Sequence, residues 1–482
     1  MRVIAVPNDI RDQGGQCMKL SAILLAAFLL ISGNASSAEE RPDPTLQQIF
    51  DHWLSAYNSG ELQRLQSVIS TYKMEHSAQR DMELRSSMGP WRLLEMRSNT
   101  PSMAEAIVNV ESSERSLLVT VKVDAADPAD VSFFQIEGVE TPTAYLPSRL
   151  SLRELRAAAN ERLDALVVSD VLSGALLVSE RGRVVYQWWG GLADRQATLA
   201  ITPETRFRIA SLNKMFTAVA VLQLVQDGKL SLNDSIRRHL PDYPDPAIAE
   251  SIMIRQLLNH TSGLGDIFGD DFSSYSQRLK THSDYIGHFG KRAPDHAPGV
   301  QDGYSNYGYV VLGAIIEAVS GQSYYDYIQK HIYAPAGMTS TGSEPESSLV
   351  VGRGVPYTKV DGQWKVESAS LPWRGTAAGG GYSTIGDLQR FGDALLRGDL
   401  VSPALLDQAT SPQNHKQWYG YGFMVSGNGT ARQFGHEGGA SGANAAFVVI
   451  PSRQYVVIGL SNNDPDAMEN AVNFLARRLP LE

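Results

Sequence analysis

Residues 205–234 read TRFRIASLNKMFTAVAVLQLVQDGKLSLND. Ser211, Leu212, Asn213 and Lys214 open a helix in which Met215, Phe216, Val219, Val221, Leu222, Leu224 and Val225 leave almost no polar face. Such a helix is expected to be buried, and Gly228 ends it. A buried helix cannot carry an isolated ammonium cheaply. Ser and Lys three residues apart share one helical face, so Lys214 is set beside the Ser211 hydroxyl. Desolvation favours the neutral amine, and a neutral amine can accept the serine proton. The helix N-terminus adds free N–H groups and the positive end of a dipole where an oxyanion would develop. Alone the tetrad is weak, because Ser-x-x-Lys arises about once by chance in a chain of this composition. A second copy, Ser70 to Lys73, has polar surroundings and opens no apolar helix, and is set aside.

Two more elements lie downstream. Tyr304-Ser305-Asn306 supplies a phenol whose ionised form is favoured near an ammonium, which makes Tyr304 a candidate proton shuttle. Asn306 offers an amide donor and acceptor to a substrate. The plainer alternatives are a packed loop tyrosine and Asn306 as N-cap of a helix over Tyr307–Val319. The third element is His436-Glu437-Gly438-Gly439. On a strand, His436 and Gly438 face one way and Glu437 the other, and the glycines let a substrate carbonyl approach the backbone. Taken singly, His436 reads as a partly buried strand histidine. His260, in LLNHTSGL, reads as a structural histidine holding a turn. Trp188 and Trp189 are adjacent at a strand end and should point to opposite faces.

The sequence has 482 residues, 43% hydrophobic and 20% charged, with 42 Gly and 23 Pro. That composition excludes a disordered, collagen-like or coiled-coil protein and leaves room for two or three domains. Forty-two Lys+Arg against 52 Asp+Glu give a net charge of −10. No run of basic residues is present, so no nucleic-acid partner is expected. Cys17 is the only cysteine, which leaves no intrachain disulfide, Cys-ligated zinc site or cysteine nucleophile. Neither H-E-x-x-H nor G-x-S-x-G occurs. No metal or organic cofactor is expected.

Residues 18–38, MKLSAILLAAFLLISGNASSA, have the charged, apolar and small-residue parts of a secretory signal peptide. Met18 reads as the true initiator and Ala38 as the cleavage position, within a signal segment of residues 1–38. The apolar stretch is too short to span a bilayer. The expectation is a periplasmic or secreted protein without stable membrane insertion.

Residues 39–140 read as a separate, smaller α+β domain. Asp43-Pro44 looks like a cap and first helical residue, with Leu46, Ile49, Phe50, Trp53, Leu54 and Tyr57 at helical spacing up to Gly60. A short helix over Glu61–Ile69 follows, then strand runs at Trp91–Arg97, Ala104–Val110, Ser116–Val123 and Val131–Ile136. Helices followed by a curved antiparallel sheet, with the phrase AYNSGELQRL, resemble the NTF2-like fold. That domain is the expected route to a homo-oligomer. Residues 141–150 read as linker. Residues 151–482 begin with an amphipathic helix, Leu152–Leu166, and strands Ala175–Ser179 and Val184–Trp189. They end with strands Ala443–Ile450 and Tyr455–Leu460 and a helix from about Pro465 to Arg478. Hairpins at both ends imply one antiparallel sheet built from both ends and flanked by helices.

With LLNHTSGL at 257–264, YSN at 304–306, GGGYSTIGDLQRF at 379–391 and GHEGGASG at 435–442, the 205–234 stretch closely resembles the serine β-lactamase-like family. This group holds class C β-lactamases, D-Ala-D-Ala carboxypeptidases and serine esterases. The resemblance implies an α+β fold, an antiparallel sheet flanked by helices plus a helical subdomain, with the site between them. It implies Ser211 as acylated nucleophile, Lys214 as its partner, Tyr304 as acid/base and Asn306 as a substrate contact. His436 and Gly438 fall on the third motif as substrate-binding positions, with Gly439 and Ser211 supplying the oxyanion N–H groups. One departure is that the third motif of true β-lactamases usually begins with Lys. A histidine is charged only part of the time near neutral pH. The balance therefore leans to an esterase, amidase or D-peptidase acting on small-molecule or peptide substrates, with a true β-lactamase and a non-turnover penicillin-recognising protein as rivals. If His436 captured a carboxylate as imidazolium, KM for acidic substrates would rise as pH climbs through its pKa.

Overall fold

The computed structural model describes residues 45–481, apart from 125–126, 128–129, 270 and 368–370. The signal-peptide reading, Cys17 and the Asp43-Pro44 pair lie outside the described residues. The chain divides into two compact units, one running to Val139 and the other from Glu140 onward, with 112–114 grouped with the second.

In the smaller unit the first helix spans Leu46–Ser59. Its cap is Thr45 rather than Asp43: the Thr45 side chain accepts from the Gln48 N–H, and the Gln48 side chain accepts from the Thr45 N–H at 2.9 Å. Gly60 closes it at φ +70°. Helices Leu62–Thr71 and Ala78–Met88 follow, then an antiparallel four-stranded meander of Trp91–Asn99, Met103–Val110, Ser116–Lys122 and Phe133–Val139. Trp53, Tyr57 and Trp91 form the centre of its core, with Trp53 and Tyr57 completely buried. Burying each ring contributes about 2–3 kcal/mol of transfer free energy. The helix Ala78–Met88 has no counterpart in the apolar pattern. Ala78, Met82, Leu84 and Met88 pack it against the core, and a polar contact adds to them: buried Asp81 accepts from Trp53 Nε1 at 2.8 Å and lies 3.0 Å from His76 Nε2.

The larger unit is α+β. A capping box on Ser151 and Glu154 starts the helix Leu152–Val168. Six strands form one antiparallel sheet in the order Met424–Ser426, Gln433–Ala440, Ala443–Ile450, Tyr455–Ser461, Gly174–Glu180 and Arg183–Gly190. Val457 stands opposite Val178, so the early and late hairpins join inside the sheet. Both faces are covered, and the period-2 alternation sorts the side chains. Leu176, Val178, Tyr455 and Val457 pack with Leu155, Leu163, Met468 and Leu475. Ala175, Leu177, Val456 and Ile458 belong instead to the large core that includes the helix Asn213–Gln226. Gly459 permits close approach of the helix Ala467–Ala476, since a Cβ there would lie 2.5 Å from Met468 Sδ. Trp188 is buried and donates to Asp164 at 3.0 Å, while Trp189 faces outward. Among the described residues no helix is long and apolar enough to cross a membrane.

Candidate active site

Ser211 sits in a single 3-10 turn, Ala210–Leu212, that runs directly into the helix Asn213–Gln226. Ala210 has φ +45°, a region that side chains other than glycine rarely adopt and that costs of order 1 kcal/mol or more. The neighbouring GGG segment holds it there: Gly380 N–H donates to the Ala210 carbonyl at 3.1 Å, and Ile209 N–H donates to Gly381 O at 3.3 Å. Strain is thus stored one residue before the hydroxyl.

Lys214 is completely buried. Its Nζ lies 3.3 Å from Ser211 Oγ and 2.7 Å from Asn306 Oδ1, and it also bonds the Ala378 carbonyl. Asn213 Nδ2 and Thr217 Oγ1 hold that carbonyl's segment by donating to the oxygens of Thr376 and Ala377, each at 2.7 Å. Burial pulls the amine down to about 7, with the charge of Asp266 opposing. The partner set accommodates that neutral amine. Two of the three partners are oxygens that can only accept, which matches the two N–H bonds of a neutral amine. The lone pair is then left for the Ser211 hydroxyl.

Tyr304 is half-buried, with Lys214 Nζ 4.7 Å from its ring centroid. His260 holds the loop on both sides of it. The His260 carbonyl accepts from Gly303 N–H at 2.8 Å, its Nδ1 accepts from Ser305 N–H at 3.1 Å, and its ring lies 4.2 Å from that of Tyr304. Burial drives the His260 pKa well below its usual value, with Lys214 and His436 adding to the effect. Asn306 is not the helix cap. Ser305 caps the helix Asn306–Ser320 by accepting from Gly308 N–H, which frees the Asn306 amide for the site. Its Oδ1 is committed to Lys214, and its Nδ2 lies 2.9 and 3.0 Å from the two carboxylate oxygens of Asp266. Only that nitrogen remains to meet a substrate.

The third motif lies on the strand Gln433–Ala440 with the alternation expected of it. Glu437 turns away to Asn473 at 3.2 Å. A Cβ on Gly438 would lie 2.4 Å from Ile209 O and 3.2 Å from Ser211 N, so only glycine lets the strand pass this close to the Ala210–Leu212 turn. Gly439 faces Pro465 and Glu469 on the other side, leaving only its backbone to serve the site. The strand Met424–Ser426 pairs only with Gln433–Gly435, so among the described residues no strand is paired with Gly438–Ala440 on that edge. Such an edge can receive an extended substrate. The conditional reading of His436 as an imidazolium finds no support in its surroundings. His436 is buried, its Nδ1 donates to Glu437 O at 2.6 Å and its Nε2 accepts from the Tyr419 hydroxyl at 2.8 Å. Burial, reinforced by the charge of Lys214, pulls it down to about 3. The ring is neutral throughout the physiological range.

The profile of the family described as Beta-lactamase matches residues 159–482. The chain belongs to the β-lactamase family. It is 31% identical over 314 residues to penicillin-binding protein 4* of Bacillus subtilis, covering 61% of this chain and 69% of that one. Among solved structures, a penicillin-binding protein from Bacillus halodurans superposes with TM-score 0.59 at 27% identity, covering 68% of this chain and 98% of the other. The D-amino acid amidase of Ochrobactrum anthropi SV3 gives TM-score 0.58 at 25% identity, covering 67% and 97%.

Within this β-lactamase-family domain, two polar neighbours carry no motif in the sequence. Asp266 is a lone acid in a glycine-bordered loop, and Tyr419 stands 17 residues before the histidine it pins. The aromatic-glycine run WYGYGF at 418–423 is the only local sign of the latter. The Gly438 contact yields a direct prediction. Gly438→Ala should displace the nucleophile turn and lower kcat/KM toward an ester by about 10²-fold, measured with circular dichroism showing an intact fold. Unchanged activity would mean that the strand does not set the position of Ser211.

Proposed function

We propose that the chain is an exported serine hydrolase acting through an acyl-enzyme on small esters or on amides and peptides of D-amino acids. The observation that carries this reading is the partner set of Lys214, two obligate acceptors plus the Ser211 hydroxyl. Ser211 Oγ attacks the substrate carbonyl as Lys214 takes its proton, with Tyr304 serving the proton's passage to the leaving group. The C–O bond to Ser211 forms, the bond to the leaving alcohol or amine breaks, and that group departs protonated. Water then splits the ester and returns the proton to Ser211. The N–H groups of Ser211 and Gly439 are assigned to the oxyanion. Asn306 Nδ2 and the open edge beside Gly438 are assigned to the substrate. Export rests on residues 18–38, and self-association is assigned to the smaller unit, which we read as NTF2-like.

The neutral ring of His436 supports esters and amides over substrates ending in a carboxylate, because that position supplies no cation. The test is a panel on the purified protein: a short p-nitrophenyl ester, a D-amino-acid amide, a D-Ala-D-Ala peptide with free or amidated terminus, and a chromogenic cephalosporin. The ester and amides are expected to be turned over at least tenfold faster, in kcat/KM, than their carboxylate counterparts. His436 should add no pH dependence of its own to KM for the free-acid peptide from pH 5 to 9, since a group titrating near 3 changes nothing there, so the KM profiles of wild type and His436→Asn should run parallel. A rise of KM through pH 6–7 that is present in wild type and absent from His436→Asn would restore a cationic His436. Stoichiometric acylation without release would replace the hydrolase by a penicillin-recognising binding protein.

A further inference from the structure

Asn306 presents one face to Lys214 and the other to Asp266, and its amide has two nearly isosteric orientations. We propose that Asp266 is a positioning residue for the base: it locks the Asn306 amide with Oδ1 toward Lys214, so that the amine lone pair is left for the Ser211 hydroxyl. The proposal rests on the reading of Ser211 and Lys214 as nucleophile and base.

A carboxylate only accepts hydrogen bonds. With Nδ2 at 2.9 and 3.0 Å from the Asp266 oxygens, the flipped amide would set three acceptors against one another. It would also turn its N–H toward Lys214 Nζ, where it would compete with Ser211 for the one lone pair. The carboxylate is itself fixed, because its Oδ1 accepts from Ile267 N–H at 2.6 Å and Phe268 N–H at 3.1 Å. Arg292 donates to the Asp266 backbone oxygen at 2.7 Å, and Tyr275 lies within its electrostatic reach. Around Lys214 stand the rings of Tyr304 and Tyr309, at 4.7 and 5.4 Å, and the two histidines, His260 and His436, that burial keeps uncharged. The charge of Asp266 also favours the ammonium form of Lys214, so its removal has a signed effect on pH dependence.

The variant Asp266→Asn keeps the shape and can still accept from the two loop N–H groups, but no longer dictates the amide flip. The readout is the rate at which an activated fluorophosphonate labels Ser211, followed by intact mass across pH 5–9. Asp266→Asn is expected to lower the alkaline plateau about tenfold or more and to move the acid midpoint to lower pH. Asp266→Glu, which keeps an acceptor-only group, should label faster than Asp266→Asn. In the double variant with Asn306→Ala, adding Asp266→Asn should slow labelling no further than Asn306→Ala alone. An unmoved plateau and midpoint, or additive losses in the double variant, would overturn the proposal. Wild-type protein that is labelled by the probe but turns over no ester or amide would remove the hydrolase reading and leave the Asp266 result standing.

Discussion

Ser211→Ala is expected to cut kcat/KM toward a p-nitrophenyl ester by roughly 10⁴- to 10⁶-fold, the cost of deleting the nucleophile from a group of residues that act as a unit. The change removes one half-buried hydroxyl whose only Lys214 contact is a 3.3 Å one. The fold should therefore be unaffected, with a melting temperature within a few degrees of wild type. Some residual rate should survive, because both N–H groups assigned to the oxyanion belong to the backbone and remain in place. Mass spectrometry after incubation with a fluorophosphonate should show a single adduct on wild type and none on the variant. A variant keeping a tenth of the activity would place the nucleophile elsewhere, and no arrangement around Lys214 could then rescue the assignment.

What could be read in the sequence divides along a physical line. The helix after Ser211 announces itself because seven apolar residues leave it no polar face, and burial of Lys214 follows from that alone. The sheet joined from both ends of the larger unit was legible because Ala175–Val178 and Tyr455–Ile458 are continuous apolar runs, as strands covered on both faces must be. Contacts made by backbone groups or by single polar side chains leave no such trace. The Ala378 carbonyl on Lys214 could be any residue's carbonyl. Asp266 acts through an amide 40 positions away. The helix Ala78–Met88 puts only a few scattered apolar residues on the core and adds the buried Asp81, so its periodicity is weak. The charge state of His436 could not be read from the sequence. A lone histidine suggests a titrating group, whereas burial between Tyr419 and its own backbone takes the proton away.

The second large effect concerns the base. Lys214→Met keeps the length and apolar stem of the side chain but removes the proton acceptor, and should lower kcat/KM by about 10²- to 10⁴-fold. In wild type, kcat/KM should fall tenfold per pH unit below an apparent pKa of about 7, because only the neutral amine can accept the Ser211 proton. The same shift predicts a stability difference with a definite sign. The lysine titrates near 10.5 when solvated and near 7 in the fold, so between those values the unfolded chain holds the extra proton. Stability gained from this group therefore rises with pH across that window, by about 1.4 kcal/mol per unit. Below about 7 both states are protonated, and the full penalty of the buried charge is present without a slope. Urea titrations of wild type and Lys214→Met at pH 7, 8 and 9 should accordingly diverge in slope, since every other titrating group is common to both proteins. Parallel stability curves, with an ester profile flat down to pH 5, would mean that Lys214 stays an ammonium and that Ser211 gives its proton to something else.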